Sequence, residues 1–226
     1  RARVRAEWLT PLPEKLDSRQ AMAIGTAGLT AMLCVLALEQ ANVGPDVSKP
    51  VLVTGASGGV GSVAVTLLAH LGYRVAAVTG RPEQNGDLLR SLGAQRIIER
   101  AELAQPAKPL ESTRWAGAVD TVGSQILAKV LAQTEYDGAV AACGLAGGMD
   151  LPTTVMPFIL RNVKLIGVDS VYCPYEKRVA AWQKVAELLP ESYYAAASNE
   201  IALEAVPEAA AQIIRGEITG RTLVKL

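Results

Sequence analysis

The sequence predicts an α/β protein in which helices cover both faces of a parallel sheet of about six strands. Three observations indicate this fold class. Half of the 226 residues are apolar while few are aromatic, and short apolar runs alternate with helix-period patterns along most of the chain. The most specific observation lies at residues 51–61, where an apolar run ends in a glycine-rich turn and a helical pattern follows at once.

Charge and cysteine content exclude several classes of protein. Lysine and arginine together number 22, as do aspartate and glutamate, and this balance gives no indication of binding to nucleic acid or to an anionic membrane. Cys34, Cys143 and Cys173 are far apart and form no Cys-x-x-Cys pair, which indicates a cytoplasmic protein rather than a disulfide framework. Because Arg1 is not a natural start, we also expect a further segment before it.

The N-terminal part predicts a strand followed by a buried helix. Residues 3–12 alternate loosely and end in two prolines, which indicates a strand. Asp17 or Ser18 then caps a long helix. Residues 21–38 carry no charge, so a membrane span has to be considered. Glycines and threonines interrupt the run, however, and we expect a helix packed inside the protein.

Beyond this helix the chain alternates between predicted strands and helices. Strands are expected at residues 51–54, 74–79, 96–98, 116–122, 138–143 and 163–168. Helices are expected at residues 60–71, 87–92, 126–133, 174–189 and 207–215, with a final strand at 220–226. This alternation predicts a Rossmann-type, doubly wound parallel sheet.

The turn at residues 55–61 reads Gly-Ala-Ser-Gly-Gly-Val-Gly and predicts a dinucleotide site. A strand, a glycine turn and a helix in this order place backbone N–H groups and the positive helix N-terminus against a pyrophosphate. Gly58 allows the backbone to approach the ligand, and Gly61 allows the helix to pack closely on the strand. The alternative is an ordinary strand-to-helix turn.

The end of the second predicted strand indicates which dinucleotide binds. An NAD site has an acidic residue there, which accepts from the ribose 2′-hydroxyl, but this chain has Thr79, Gly80 and Arg81. Arg81 can bind a 2′-phosphate through charge-assisted hydrogen bonds worth about 1.5–3 kcal/mol each. We therefore expect a preference of roughly tenfold to more than a hundredfold for NADPH over NADH, unless Arg81 is only a solvated loop residue.

Two families of dehydrogenases use a glycine motif that fits this turn. It fits the short-chain pattern T-G-x-x-x-G-x-G from Thr54 onward, and it fits the Rossmann fingerprint if Ala56 replaces the first glycine. The short-chain family also needs a Tyr-x-x-x-Lys pair, and none of the six tyrosines has a lysine four residues later. The missing pair excludes the short-chain family.

Several segments resemble the medium-chain dehydrogenase/reductase superfamily. They are residues 25–31 (GTAGLTA), 53–61 (VTGASGGVG), 92–94 (LGA) and 119–123 (VDTVG). Residues 142–148 (ACGLAGG), 151–162 (LPTTVMPFILRN) and 167–170 (GVDS) are similar to its YhdH/AcuI branch, the quinone-oxidoreductase-like, NADPH-dependent acryloyl-CoA reductases.

The resemblance implies a domain plan and a dimer. Members of this family have an N-terminal GroES-like substrate domain, to which their last helix and strand return. Residues 1–20 and 200–226 are then remnants of that domain, and residues 21–199 form the NADP-binding domain. Family members also pair as homodimers through an edge strand, here residues 163–168, although a central, fully covered strand would explain this apolar run equally well.

The resemblance also implies the residues that hold the cofactor, NADPH. The pyrophosphate loop corresponds to Ser57, Gly58, Gly59 and Val60. The 2′-phosphate site corresponds to Thr79, Gly80 and Arg81, with a second arginine at Arg100. The nicotinamide is expected near Leu145, Ile159 and Ser170, of which the first two could instead be core residues and the third a loop hydroxyl.

Zinc, which other branches of the superfamily use, is not expected. Those branches place a cysteine ligand near residues 23–26, which here read Ala-Ile-Gly-Thr. His70 is the only histidine, and one histidine with scattered cysteines cannot form a zinc site. We therefore predict a zinc-independent enzyme.

Without a metal, the resemblance favours NADPH-dependent reduction of an activated C=C bond, in an enoyl thioester such as acryloyl-CoA or in a quinone. Negative charge would develop on the carbonyl oxygen and would need hydrogen-bond donors. The sequence identifies no catalytic acid, and Arg161 and Arg178 are candidates for the phosphates of CoA. A non-catalytic NADPH-binding protein is the other alternative.

Overall fold

The computed structural model describes residues 3–226, and its centre is a six-stranded parallel sheet. The strands are β1 (Val51–Val53), β2 (Val75–Thr79), β3 (Arg96–Glu99), β4 (Trp115–Asp120), β5 (Thr134–Ala142) and β6 (Lys164–Gly167). Their order is β3-β2-β1-β4-β5-β6, and each neighbouring pair is parallel. The predicted doubly wound sheet of six strands is confirmed. Arg1 and Ala2, which belong to the predicted remnant 1–20, lie outside the described residues.

Helices cover both faces of this sheet. Within the described chain they are α1 (Ser18–Gln40), α2 (Gly59–His70), α3 (Pro82–Ser91), α4 (Ser124–Gln133), α5 (Met156–Arg161), α6 (Tyr175–Leu188), α7 (Glu191–Ala197) and α8 (Val206–Ile214). Successive side chains of a strand point to opposite faces. Val51 and Val53 accordingly pack in the cluster that includes α1 and α2, whereas Leu52 packs in the cluster that includes α4.

The long apolar helix α1 is a core helix. Asp17 caps it, since its Oδ1 accepts from Gln20 N (2.7 Å) while Gln20 Oε1 accepts from Asp17 N (2.9 Å). Gly25 kinks the helix with φ 48° and ψ −154°. By length and composition α1 could cross a membrane, but 72% of its most apolar window is buried inside the protein. The expectation of a packed helix is confirmed.

Residues 3–12 do not form the predicted strand. Ala6–Trp8 is a single 3-10 turn, and Trp8 is 60% exposed. Pro11 and Pro13 lack the N–H groups that a strand ladder requires. In the described chain no other strand lies beside this segment. The segment therefore stays irregular, because an alternating pattern forms a strand only when a neighbouring strand pairs with it.

A second, two-stranded parallel sheet forms near the C-terminus from β7 (Ser198–Ala202) and β8 (Arg221–Lys225). The sequence predicts β8 but not β7, which begins with three polar residues. Immediately before β8, Gly220 N donates to Ser57 O (2.8 Å). The chain therefore returns across the glycine turn, which brings the segment between α8 and β8 to the carboxyl ends of the main sheet.

The last strand of the main sheet, β6, lies at its edge. Among the described strands it pairs with β5 alone. Its burial alternates along the strand, with Leu165 36% exposed. The edge position expected for residues 163–168 is confirmed, and the central, fully covered alternative is wrong.

Candidate cofactor site

The strand order of the sheet reverses between β1 and β4. From β1 the chain continues to β2 and β3 on one side and then returns to β4 on the other. The loops after β1 and β4 thus leave in opposite directions, and a crevice forms at the carboxyl ends of the strands. Here the crevice is a cavity of about 670 Å³. It is lined by the loops after β1, β2 and β4, by Ala146 and Gly147, and by the segment that follows α8.

The glycine turn forms the wall of this cavity at the end of β1. Ser57 and Gly58 line the cavity, and Gly58 is also the extended N-cap residue of the 12-residue helix α2 (φ −83°, ψ 179°). The helix N-terminus therefore begins at the cavity, where its N–H groups and dipole favour an anion. A Cβ on Gly61 would lie 2.2 Å from Gly55 O and 2.7 Å from Ala56 Cα. This agrees with the close packing expected at Gly61.

Two arginines lie near the end of β2. Thr79, Gly80, Arg81 and Arg100 all line the cavity. Thr79 Oγ1 lies 3.2 Å from Ser57 Oγ and accepts from Arg81 N at 3.2 Å. A Cβ on Gly80 would lie 3.0 Å from Arg100 Cζ, so the glycine allows this guanidinium to lie against the backbone. The described residues that line the cavity include no aspartate or glutamate, so its charged side chains are all cationic.

Arg81 is held by the C-terminal segment. Its Nη1 donates to Glu217 O (2.7 Å) and its Nη2 to Ile218 O (3.1 Å). The next residue, Thr219, donates to Oδ1 of the buried Asn85 (2.9 Å). These bonds order the guanidinium at the cavity. Arg81 therefore has ordered partners at the cavity, and its contact with a 2′-phosphate stays a prediction.

A buried carboxylate joins the loops after β1 and β4. The carboxylate of Asp120 accepts from Thr54 Oγ1 at Oδ1 (2.7 Å) and from Gly123 N at Oδ2 (2.8 Å). Thr121 completes the link, since its N donates to Thr54 Oγ1 (3.0 Å) and its Oγ1 donates to Thr54 O (2.9 Å). Burial raises the pKa of Asp120, although the hydrogen bonds that it accepts act in the opposite direction. The two loops are thereby fixed relative to each other.

The other predicted cofactor residues do not line this cavity. Gly59 and Val60 form the start of α2. Leu145 is 62% exposed, and Ile159, on α5, is 71% exposed. Ser170 lines a second cavity of about 380 Å³. The structure brings together residues expected at the pyrophosphate and the 2′-phosphate, whereas the nicotinamide contacts stay a prediction.

Two groups of residues at the cavity were not predicted from the sequence. The sequence presents Asp120 only as part of the segment 119–123 that resembles the family, although a charged residue at the end of an apolar strand suggests a buried polar link. Arg215, Gly216 and Ile218 also line the cavity. They carry no sequence signal, because only the return of the chain before β8 brings them to the glycine turn.

A glycine turn, a helix N-terminus and arginines at the switch point of a doubly wound sheet define a dinucleotide-binding domain. Residues 59–190 match the family described as zinc-binding dehydrogenase. The chain is 60% identical over 225 residues to the probable acrylyl-CoA reductase AcuI of Escherichia coli, covering 100% of this chain and 68% of that protein. It is 56% identical to the acrylyl-CoA reductase AcuI of Ruegeria pomeroyi, covering 99% of this chain and 68% of that protein.

The solved structures agree with these sequence relationships. The yhdH oxidoreductase from Salmonella enterica, in complex with NADP, is 60% identical and superposes with a TM-score of 0.97 over 100% of this chain and 68% of that one. The chain therefore belongs to the medium-chain dehydrogenase/reductase superfamily and, within it, to the AcuI/YhdH group. The resemblance seen in the sequence is confirmed.

The family description mentions zinc, but the residues present do not fit a zinc site. Within residues 3–226, no group of three or more His, Cys, Asp or Glu side chains lies close enough together to hold a metal ion. His70 is the last residue of α2, and Cys34 is buried in α1. A tetrahedral zinc site needs at least three protein ligands, and these side chains do not supply them.

Proposed function

We propose that this protein is an NADPH-dependent reductase that transfers hydride to the C=C bond of an enoyl thioester of the acryloyl-CoA type. The observation that carries the proposal is the cationic end of the switch-point cavity, where Arg81 and Arg100 lie beside the glycine turn. Cationic side chains at this end of the cavity would bind the 2′-phosphate of a dinucleotide. The names of the 60% and 56% identical relatives and the NADP in the Salmonella structure support the same cofactor and reaction.

The phosphates of NADPH would be held by two sets of residues. At the pyrophosphate, the N–H groups of the glycine turn and the N-terminus of α2 would bind the anion. At the 2′-phosphate, two guanidiniums would donate charge-assisted hydrogen bonds. The proposed phosphate-binding residues are Ser57, Gly58, Gly59, Val60, Thr79, Gly80, Arg81 and Arg100.

When bound, NADPH supplies the hydride for the β-carbon of the substrate. We place its nicotinamide near Leu145, Ile159 and Ser170. Ser170 shares the second cavity with Trp8 and Trp182, whose apolar surfaces suit an acyl group. Charge that develops on the thioester oxygen would require hydrogen-bond donors directed at that atom.

Arg178 is a better candidate for a phosphate of CoA than Arg161. Arg161 lines neither of the two cavities and donates to the carbonyl oxygens of Glu111 (2.6 Å) and Ala132 (2.9 Å), so its guanidinium has a structural role. Arg178 instead lines the second cavity, and its buried Nε has no hydrogen-bond partner among the described residues. Its Nη2 makes only a long hydrogen bond to Glu7 O (3.5 Å), so the guanidinium at this cavity could turn toward an anionic ligand.

We also propose the domain division, the location and the oligomeric state that the family resemblance implies. Residues 21–199 would form the NADP-binding domain, while residues 1–20 and 200–226 would belong to the GroES-like substrate domain. The separate sheet of β7 and β8 supports a division near this point, although β7 (Ser198–Ala202) begins two residues before residue 200. We further propose that the enzyme is cytoplasmic, acts without zinc and forms a homodimer through the edge strand β6.

The loss of NADPH absorbance, followed with the full-length protein, tests the reaction. Acryloyl-CoA, a simple quinone and no acceptor are compared at equal protein concentration. Rapid oxidation with acryloyl-CoA alone supports the proposal. Oxidation with the quinone alone would indicate a quinone reductase instead, and NADPH binding without oxidation by either acceptor would indicate a non-catalytic NADPH-binding protein.

A further inference from the structure

A third arginine lies at the same cavity as Arg81 and Arg100. Arg215 follows the end of α8 and lines the cavity together with Gly216 and Ile218. It belongs to the segment whose carbonyl oxygens hold Arg81. Three guanidiniums therefore line one cavity whose described lining residues include no carboxylate.

The partners of Arg215 are carboxylates just outside that lining. Its Nε lies 2.8 Å from Glu217 Oε1, and its Nη2 lies 3.3 Å from Glu208 Oε1. The side chains of Arg215 and Glu217 are 50% and 52% exposed. Exposed pairs of this kind contribute little to stability, so the pair can exchange one partner for another anion at small cost.

We infer that Arg215 is a further determinant of cofactor specificity, which exchanges the carboxylate of Glu217 for the 2′-phosphate when NADPH binds. The inference rests on the proposed function, because it requires a 2′-phosphate at the cationic end of the cavity. NADH has only a hydroxyl at this position and leaves the pair of Arg215 and Glu217 in place. Arg215 therefore distinguishes NADPH from NADH without acting on the rest of the dinucleotide.

The segment 215–219 has two roles in this arrangement. Its backbone oxygens at Glu217 and Ile218 orient Arg81, and its first side chain supplies an additional cation. Only the second role depends on the side chains of Arg215 and Glu217. Substitution of these two side chains therefore leaves the backbone hydrogen bonds of Arg81 in place. R215Q isolates the exchange, whereas E217Q also removes a negative charge that interacts with Arg81.

Titration of the full-length protein with NADPH and with NADH tests the inference. The variants are R215Q and E217Q, with R90Q as the matched control, since Arg90 pairs with an exposed aspartate on α3 (3.1 Å) and does not line the cavity. R215Q should raise the Kd for NADPH about three- to tenfold and leave the Kd for NADH unchanged. E217Q should lower the Kd for NADPH, because the competing carboxylate is gone. R90Q should change neither value.

The outcomes separate this inference from the proposed function. If the wild-type protein prefers NADPH but R215Q retains the full preference, Arg215 has no part in recognition and the inference is overturned. An equal loss of affinity for NADPH and NADH in R215Q would indicate a structural role and would overturn it as well. A wild-type protein without any preference for NADPH would overturn the proposed cofactor, and the role of Arg215 with it.

Discussion

Replacement of Asp120 by asparagine should loosen the connection between the two loops of the cofactor cavity. The carboxylate now accepts from two donors, Thr54 Oγ1 at 2.7 Å and Gly123 N at 2.8 Å. An amide of the same size has only one oxygen. Whichever way it is turned, either the hydroxyl of Thr54 or the N–H of Gly123 loses its acceptor in a fully buried site.

The magnitude follows from the hydrogen bonds that are lost. A buried donor without an acceptor costs about 1–3 kcal/mol. Removal of a buried charge offsets part of this loss, because burial disfavours the ionised form of Asp120 and raises its pKa. We therefore expect D120N to lower the free energy of unfolding by about 2 kcal/mol at neutral pH.

Urea unfolding of wild type, D120N and the control D87N measures this difference. Asp87 is a fully exposed residue of α3, and its substitution should change stability by less than about 0.5 kcal/mol. D120N should also raise the Kd values for NADPH and NADH by the same factor, because Gly123 lines the cavity but does not distinguish the ribose phosphates. A D120N protein as stable as D87N would refute the structural role of this carboxylate.

The pH dependence of the same variant provides a second check. The pKa of Asp120 is higher in the folded protein than its ordinary value of 3.8. Its contribution to stability is therefore fully present below pH 3.8 and is lost as the pH rises through the folded-state pKa. The difference in unfolding free energy between wild type and D120N should accordingly shrink as the pH rises through this range, and a difference that grows would contradict the assignment.

Three further predictions follow from individual contacts. Gly61→Ala should destabilise the protein by roughly 3 kcal/mol, because its Cβ would lie 2.2 Å from a carbonyl oxygen of the turn. Urea unfolding should show no such loss for Gly44→Ala, where a Cβ meets nothing within 4 Å. Burial alone would raise the pKa of Glu111, but its hydrogen bonds, chiefly from Lys129, lower it to about 2. The resulting stabilisation is present above pH 4.5 and is lost as the pH falls toward 2, so Glu111→Gln should flatten the acid limb of a stability profile. Arg81→Ala should reduce the ratio of NADPH to NADH affinity about tenfold, and an unchanged ratio in a binding titration would contradict its role.

Local chemistry made the sheet and the glycine turn predictable. Each buried strand of a parallel sheet is an apolar run, and most of its connections here contain a helix with an apolar face, so the alternation is visible residue by residue. The packing of Gly61 was predictable for the same reason, because a helix that starts directly after a turn leaves no room for a side chain. These features depend on neighbours in the sequence.

Features that depend on distant partners were not predictable. Residues 3–12 alternate as a strand would, but alternation does not reveal whether a neighbouring strand exists. Arg215 reaches the cavity only because β8 returns past Ser57. The hydrogen bonds of Arg81 with the backbone at Glu217 and Ile218 likewise join positions that are far apart in the chain. Composition and spacing carry no information about such contacts.

The ratio of kcat/KM for NADPH to that for NADH, measured with the full-length enzyme and saturating acryloyl-CoA at fixed ionic strength, tests the central claim most directly. A preference for NADPH in this assay requires that the enzyme reduces acryloyl-CoA and that the arginines at the end of the cavity bind the 2′-phosphate. We expect NADPH to be favoured roughly tenfold to more than a hundredfold. Equal values for the two cofactors, or no turnover with acryloyl-CoA, would contradict the account.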